Sequence, residues 1–193
     1  MTTAVAPTRP GQVIADLLPA SRVRDAALVA GGAALTGLAA QIAVPVPGSP
    51  VPVTGQTFAA LLVGTALGTG RGLASLALYA LLGLAGVPWF AEGSAGATVS
   101  FGYILGMLLA ATVVGALARR GADRSVVRMA GTMLLGEAII YAIGVPYLAL
   151  AADMTLTQAV AAGLTPFLLG DALKAALAMG VLPTVWKFVK REG

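Results

Sequence analysis

Neither cysteine nor histidine occurs in the 193 residues. Their absence excludes disulfides, thiolate nucleophiles, thiol and imidazole metal ligands, and every catalytic triad built on a histidine base. Charge is almost as scarce: 10% of the residues are Asp, Glu, Lys or Arg, against roughly 25% in an ordinary soluble domain. No G-x-x-x-x-G-K-[ST] phosphate loop is present, and the length leaves no room for a separate soluble module. The chain is therefore not expected to be an enzyme, to hydrolyse nucleotides, or to need a cofactor or metal. What fills it instead is apolar: 58% hydrophobic residues and a mean hydropathy of +0.90. That composition predicts an all-α integral membrane protein.

A spanning helix needs about 20 largely apolar residues, with a range of about 17–25. Six candidate spans follow, at 25–43, 56–70, 72–88, 101–118, 129–150 and 165–187. The second and third are short, which implies tilt or partial crossing. Gly70, Arg71 and Gly72 between them read as a tight interfacial turn. The cations test the count. With both termini cytoplasmic, eleven of the twelve Lys and Arg residues fall in cytosolic segments; the twelfth, Lys174, lies within a span, and the three external loops hold none. This is the positive-inside rule, and it accounts for the basic pI without nucleic acid. Residues 1–20 read as a cytosolic tail, with 21–193 as one membrane domain. The tail lacks the cationic start and apolar core of a signal peptide. Ile14, Leu17 and Leu18 either form a short interfacial helix or belong to a disordered tail.

The external loops differ in character. In residues 44–55, four prolines within eight residues stiffen an extended path. Residues 87–100 begin with Pro88, Trp89 and Phe90 and then turn small and glycine-containing. Together they read as a lid, or as two ordinary connectors with Trp89 as an interfacial anchor. The third loop runs from Asp153 to Gly163.

Three ionisable residues lie deep in apolar spans: Asp171, Lys174 and Glu137. A charge in hydrocarbon is costly unless paired or facing a cavity, so each is a functional candidate by default. Asp171 and Lys174 are three apart on one helix, which puts carboxylate and ammonium on one face with acceptors and donors to spare. A purely structural pair between helices is the alternative; buried ion pairs seldom outperform apolar packing in stability. Gln56, Thr57 and Tyr103 sit at external span ends as candidate cavity-lining groups. Gly102 and Gly106 form a G-x-x-x-G contact motif. Ala26, Ala30 and Ala34 form a stripe on the first span where a partner helix can approach closely.

Four segments resemble one family, the biotin-binding substrate subunits of energy-coupling factor (ECF) transporters, BioY. Pro52 to Thr57 resembles its P-x-T-x-Q-T stretch, and Gly83 to Phe90 its G-x-x-G-x-P-x-F segment. Gly102 to Gly106 resembles its G-Y-L-x-G, and Pro166 to Lys174 its P-x-x-x-G-D-x-x-K motif. Phe101 and Met107 depart from the glycine and phenylalanine usual at those positions, and Trp89 is bulkier than usual. The resemblance implies a prokaryotic cell-membrane subunit that captures biotin on the outer side. It implies delivery with a transmembrane coupling subunit and two cytosolic ATPases, and partner contact through the alanine stripe. Asp171 and Lys174 would serve the ureido ring, Gln56 and Tyr103 the tail end, and Trp89 and Phe90 the apolar bicycle. A substrate subunit for another vitamin or small anion, or a stand-alone small-solute permease, are the alternatives.

Overall fold

A computed structural model describes residues 11–191. Seven α-helices occur among them: α1 (Arg22–Ala40), α2 (Gln56–Leu67), α3 (Thr69–Leu84), α4 (Phe101–Arg119), α5 (Val126–Ala151), α6 (Leu156–Gly163) and α7 (Leu168–Arg191). Among the described residues, four apolar helical segments are long enough to cross a bilayer: α1, α4, α5 and the α6–α7 stretch. At 1.5 Å per residue, the 12 residues of α2 and 16 of α3 reach only about 18 and 24 Å, short of the ~30 Å hydrocarbon core.

α4 is the central helix. Its Ala110, Ala111, Val114 and Ala118 are fully buried, and such small side chains let α2, α3 and α5 close against it. The G-x-x-x-G pair works in this way: a Cβ on Gly106 would meet the Ile140 backbone at 2.8 Å, and one on Gly102 the Tyr147 side chain at 2.2 Å. The perimeter is oily, with Leu38, Leu81, Leu134, Leu150, Leu169 and Leu173 all more than 60% exposed. So much exposed leucine suits lipid rather than water. The chain is thus a multi-pass membrane protein.

Three elements differ from expectation. The turn between the short helices falls at Gly68, whose φ of +80° ends α2 and starts α3, so Gly70–Gly72 lie inside α3. Arg71 is accordingly a helical residue, paired with Asp16. The expected third loop contains α6, started by a capping box in which Thr155 accepts from the Gln158 backbone and Gln158 from the Thr155 backbone. The last helix begins at Leu168, after a 3-10 turn over Thr165–Phe167 that holds Pro166.

Arg71, Arg119 and Arg124 gather at one end. There residues 11–17 dock against the bundle instead of trailing free, with a single 3-10 turn at Ile14–Leu17 and Val13 fully buried. Asp16 pairs with Arg71 and, at 3.3 Å, with Arg119. Arg119 and Arg124 donate to the carbonyls of Gly11 and Gln12 at 3.0 and 3.1 Å. Burial alone would raise the Asp16 carboxyl. The Val13 backbone N–H and the two arginines outweigh it and hold the group below its usual range.

Candidate functional site

At the opposite end, the two loops close over the helix starts. Ala43–Val44 pairs antiparallel with Val53–Thr54, so the proline-rich loop is the tip of a short hairpin. Val53 leans against Gly170, where an added Cβ would sit 3.4 Å from its Cγ1. The second loop is tied down by Gln41. Its Nε2 donates to the carbonyls of Trp89 and Phe90 at 3.0 and 3.1 Å, and its Oε1 accepts from the Gly93 N–H at 3.1 Å.

Beneath the loops lie two linked clusters. In the first, Lys174 Nζ donates to Asp171 Oδ1 at 3.0 Å and to Thr57 Oγ1 at 2.8 Å. The Tyr141 hydroxyl donates to Asp171 Oδ2. α7 and α5 therefore meet at the Asp171 carboxylate, and the first turn of α2 joins through the Lys174 ammonium. The Lys174 and Asp171 side chains are only 14% and 10% exposed. Glu137, one turn below Tyr141 on α5, is buried, and its Oε2 has no hydrogen-bond partner among the described residues. Glu137, Tyr141 and Asp171 line one cavity of about 280 Å³ between α5 and α7, walled by Met133, Leu134 and Leu168.

The second cluster is aromatic. Phe90 is 2% exposed and its ring fills the space over Gly83, where a Cβ would sit 2.0 Å from Cζ. Tyr79 packs against Trp89 and Phe90 with ring centroids 5.3 and 5.2 Å away, and Phe90 meets Phe101 at 6.1 Å. Trp89 Nε1 donates to the Tyr79 carbonyl at 3.0 Å, and Tyr79 in turn donates to Gln56 Oε1 at 2.9 Å. Gln56 and Thr57, adjacent at the start of α2, thus join the aromatic cluster to the ionic one.

The sequence-predicted residues divide accordingly. Asp171 and Lys174 pair directly and Glu137 shares a cavity with Asp171, while Gln56, Trp89 and Phe90 meet around Tyr79. Tyr103 is buried edge-on to Tyr141 at 6.3 Å, but its hydroxyl donates to the Gly163 carbonyl at 2.7 Å and so braces α6. Ala26, Ala30 and Ala34 are exposed on α1, away from both clusters. Sequence reasoning missed Tyr141, Tyr79 and Gln41. Tyr141 carried a usable signal, lying four residues after Glu137 and therefore on the same helix face.

A family model for the BioY family matches residues 10–191. The chain is 36% identical over 158 residues to a protein of Pyrococcus horikoshii named as a probable biotin transporter BioY, covering 82% of this chain and 93% of that one. It is 33% identical over 153 residues to the biotin transporter BioY2 of Lactococcus lactis, covering 78% and 83%. Both relatives are named as transporters, in keeping with a non-enzymatic role. Its fold matches a crystal structure of the S-component for biotin from an ECF-type ABC transporter, with a TM-score of 0.77, 22% identity, and coverage of 88% of this chain and 95% of that one. On the extent of these matches, the chain belongs to the BioY family.

Proposed function

We propose that this chain is the biotin-capturing membrane subunit of an ECF-type uptake transporter in a prokaryotic cell membrane. Six helices cross or partly cross the bilayer, both termini face the cytosol, and the two-loop end faces outward. The observation that carries the reading is the Asp171–Lys174–Tyr141–Thr57 cluster beneath two anchored loops, at the end away from the arginines. Biotin's ureido ring presents two N–H donors and one carbonyl acceptor. A carboxylate has about four acceptor sites and an ammonium three donors, and this cluster uses only part of each. The aromatic cluster around Tyr79 offers an apolar wall. The relatives' names and the S-component fold support the same ligand class.

Delivery inward then requires a transmembrane coupling subunit and two cytosolic ATPases, since this chain has no phosphate loop. The exposed Ala26, Ala30 and Ala34 on α1 give the coupling subunit a smooth contact face. The test is calorimetric titration of detergent-purified protein with biotin, beside vesicle uptake with and without the partner subunits. Tight biotin binding, with uptake only when partners and ATP are present, is expected. A well-folded protein that ignores biotin but binds another vitamin overturns the ligand, and ATP-independent uptake by the chain alone overturns the coupling.

A further inference from the structure

We infer that Glu137 is a direct ligand-binding residue, the acceptor at the floor of the α5–α7 cavity for one ureido N–H of the bound ring. The inference rests on the biotin reading above and deepens it. Three features point to Glu137. Its Oε2 is buried and without a partner among the described residues, an arrangement costly in hydrocarbon unless something else supplies the donor. It lines the cavity that Asp171 and Tyr141 also line, and the other walls, Met133, Leu134, Leu168, Ala138, Ala172 and Ala175, are apolar. That combination of a few convergent polar groups in an apolar recess suits a small ring with polar edges.

The partners of the neighbouring groups then sort the ring's contacts. Asp171 already accepts from Tyr141 on one oxygen and Lys174 on the other, so it has a lone pair to spare but no free oxygen. Glu137 Oε2 has no hydrogen-bond partner among the described residues. A cyclic urea carries two N–H groups on diverging edges, and two carboxyl groups on facing helices match them one to one. Lys174 does not line this cavity; its bonds to Thr57 and Asp171 hold the Asp171 carboxylate in place beside it.

The experiment compares wild type, Glu137→Gln and Glu137→Met in detergent by calorimetry, with biotin and with biotin methylated at one or the other ureido nitrogen. Thermal unfolding without ligand is followed alongside. Biotin affinity is expected to fall about tenfold or more in Glu137→Met and less in Glu137→Gln, which keeps one acceptor oxygen. One of the two N-methyl analogues should bind wild type poorly yet lose little further affinity in Glu137→Met. Unliganded stability should hold or rise, because an unpartnered polar group has been removed. Glu137→Met binding biotin within twofold of wild type overturns the inference and leaves the biotin reading intact. So does a loss of affinity that tracks a loss of unliganded stability, which marks Glu137 as structural. Wild type that fails to bind biotin overturns the reading itself, and the inference falls with it.

Discussion

Lys174→Met separates the two roles open to the ion pair. The substitution keeps the length of the stem but removes the ammonium, leaving Asp171 with the Tyr141 hydroxyl as its only bond partner among the described residues. Because both side chains are nearly excluded from solvent, little screening softens the loss. Breaking a buried pair from one side costs about 3–5 kcal/mol. At roughly 2–4 °C per kcal/mol for a chain of this size, the unliganded protein should melt about 6–20 °C lower. Asp171→Asn should be milder, since the amide oxygen still accepts from Lys174. The double variant, with both charges gone, should recover most of the stability, because removing a pair together is often near neutral. Binding should behave differently. Each single variant loses a charge-assisted bond to the ureido ring, about 1.5–3 kcal/mol or about 10- to 150-fold in affinity, and the double variant should not recover it. Thermal unfolding and calorimetry on the four proteins test both halves. If the double variant regains biotin affinity within about twofold of wild type, the pair is a structural strut and the ligand assignment is refuted.

Two further outcomes follow from the packing. Phe90→Ala should destabilise the protein by about 3–5 kcal/mol, as for other buried aromatic truncations, and slow hydrogen exchange at Trp89–Gly93 should become fast, because the loop loses its plug over Gly83; unchanged exchange would show that the Gln41 and Trp89 hydrogen bonds hold the loop without the plug. The Asp16 carboxyl is held below its usual range in the folded protein, so the stability it contributes is fully present above its unfolded pKa near 4 and is lost as pH falls through the lower folded value. Asp16→Asn should therefore lower stability at pH 7 and flatten its fall below about pH 4, read from thermal unfolding across pH; an unchanged acid limb would sink that linkage.

The ionic centre was legible because hydrocarbon is an unforgiving solvent. In spans so poor in charge, Asp171, Lys174 and Glu137 stand out without any three-dimensional information. Tyr79, Gln41 and, apart from its spacing to Glu137, Tyr141 did not, because uncharged polar side chains carry no such cost and only packing reveals which of them turn toward the site. The turn at Gly68 shows a different limit. The expected turn at Gly70–Gly72 lay slightly too late in the chain, and tertiary contact decided the position. α4 approaches so closely that a Cβ on Gly115 would meet the Thr69 nitrogen at 2.6 Å, which pins the α2–α3 corner to Gly68. α6 was legible in principle, through the Thr155 and Gln158 capping pair, but eight residues carry too little periodicity to stand out from a polar loop.

On the proposed function, specificity would follow from what the cluster leaves unsatisfied more than from what it holds. Thr57 and Tyr141 fix Lys174 and Asp171 from two other helices, so the charged groups need little reorganisation when a ligand arrives. Yet the spare lone pairs of Asp171 and the Glu137 oxygen, unpartnered among the described residues, remain in a largely apolar recess. A ligand that brings N–H donors relieves that cost, whereas an isostere without them seals the same acceptors away from water unpaired. Sites built this way reject analogues lacking the donor far more strongly, by about 10⁴–10⁵, than an apolar pocket rejects a missing methylene. Discrimination on this account resides in the α5–α7 carboxyl groups. If the aromatic cluster and the Gln41-tethered loop act as the lid of the proposed site, variants there should change dissociation rate more than ligand choice.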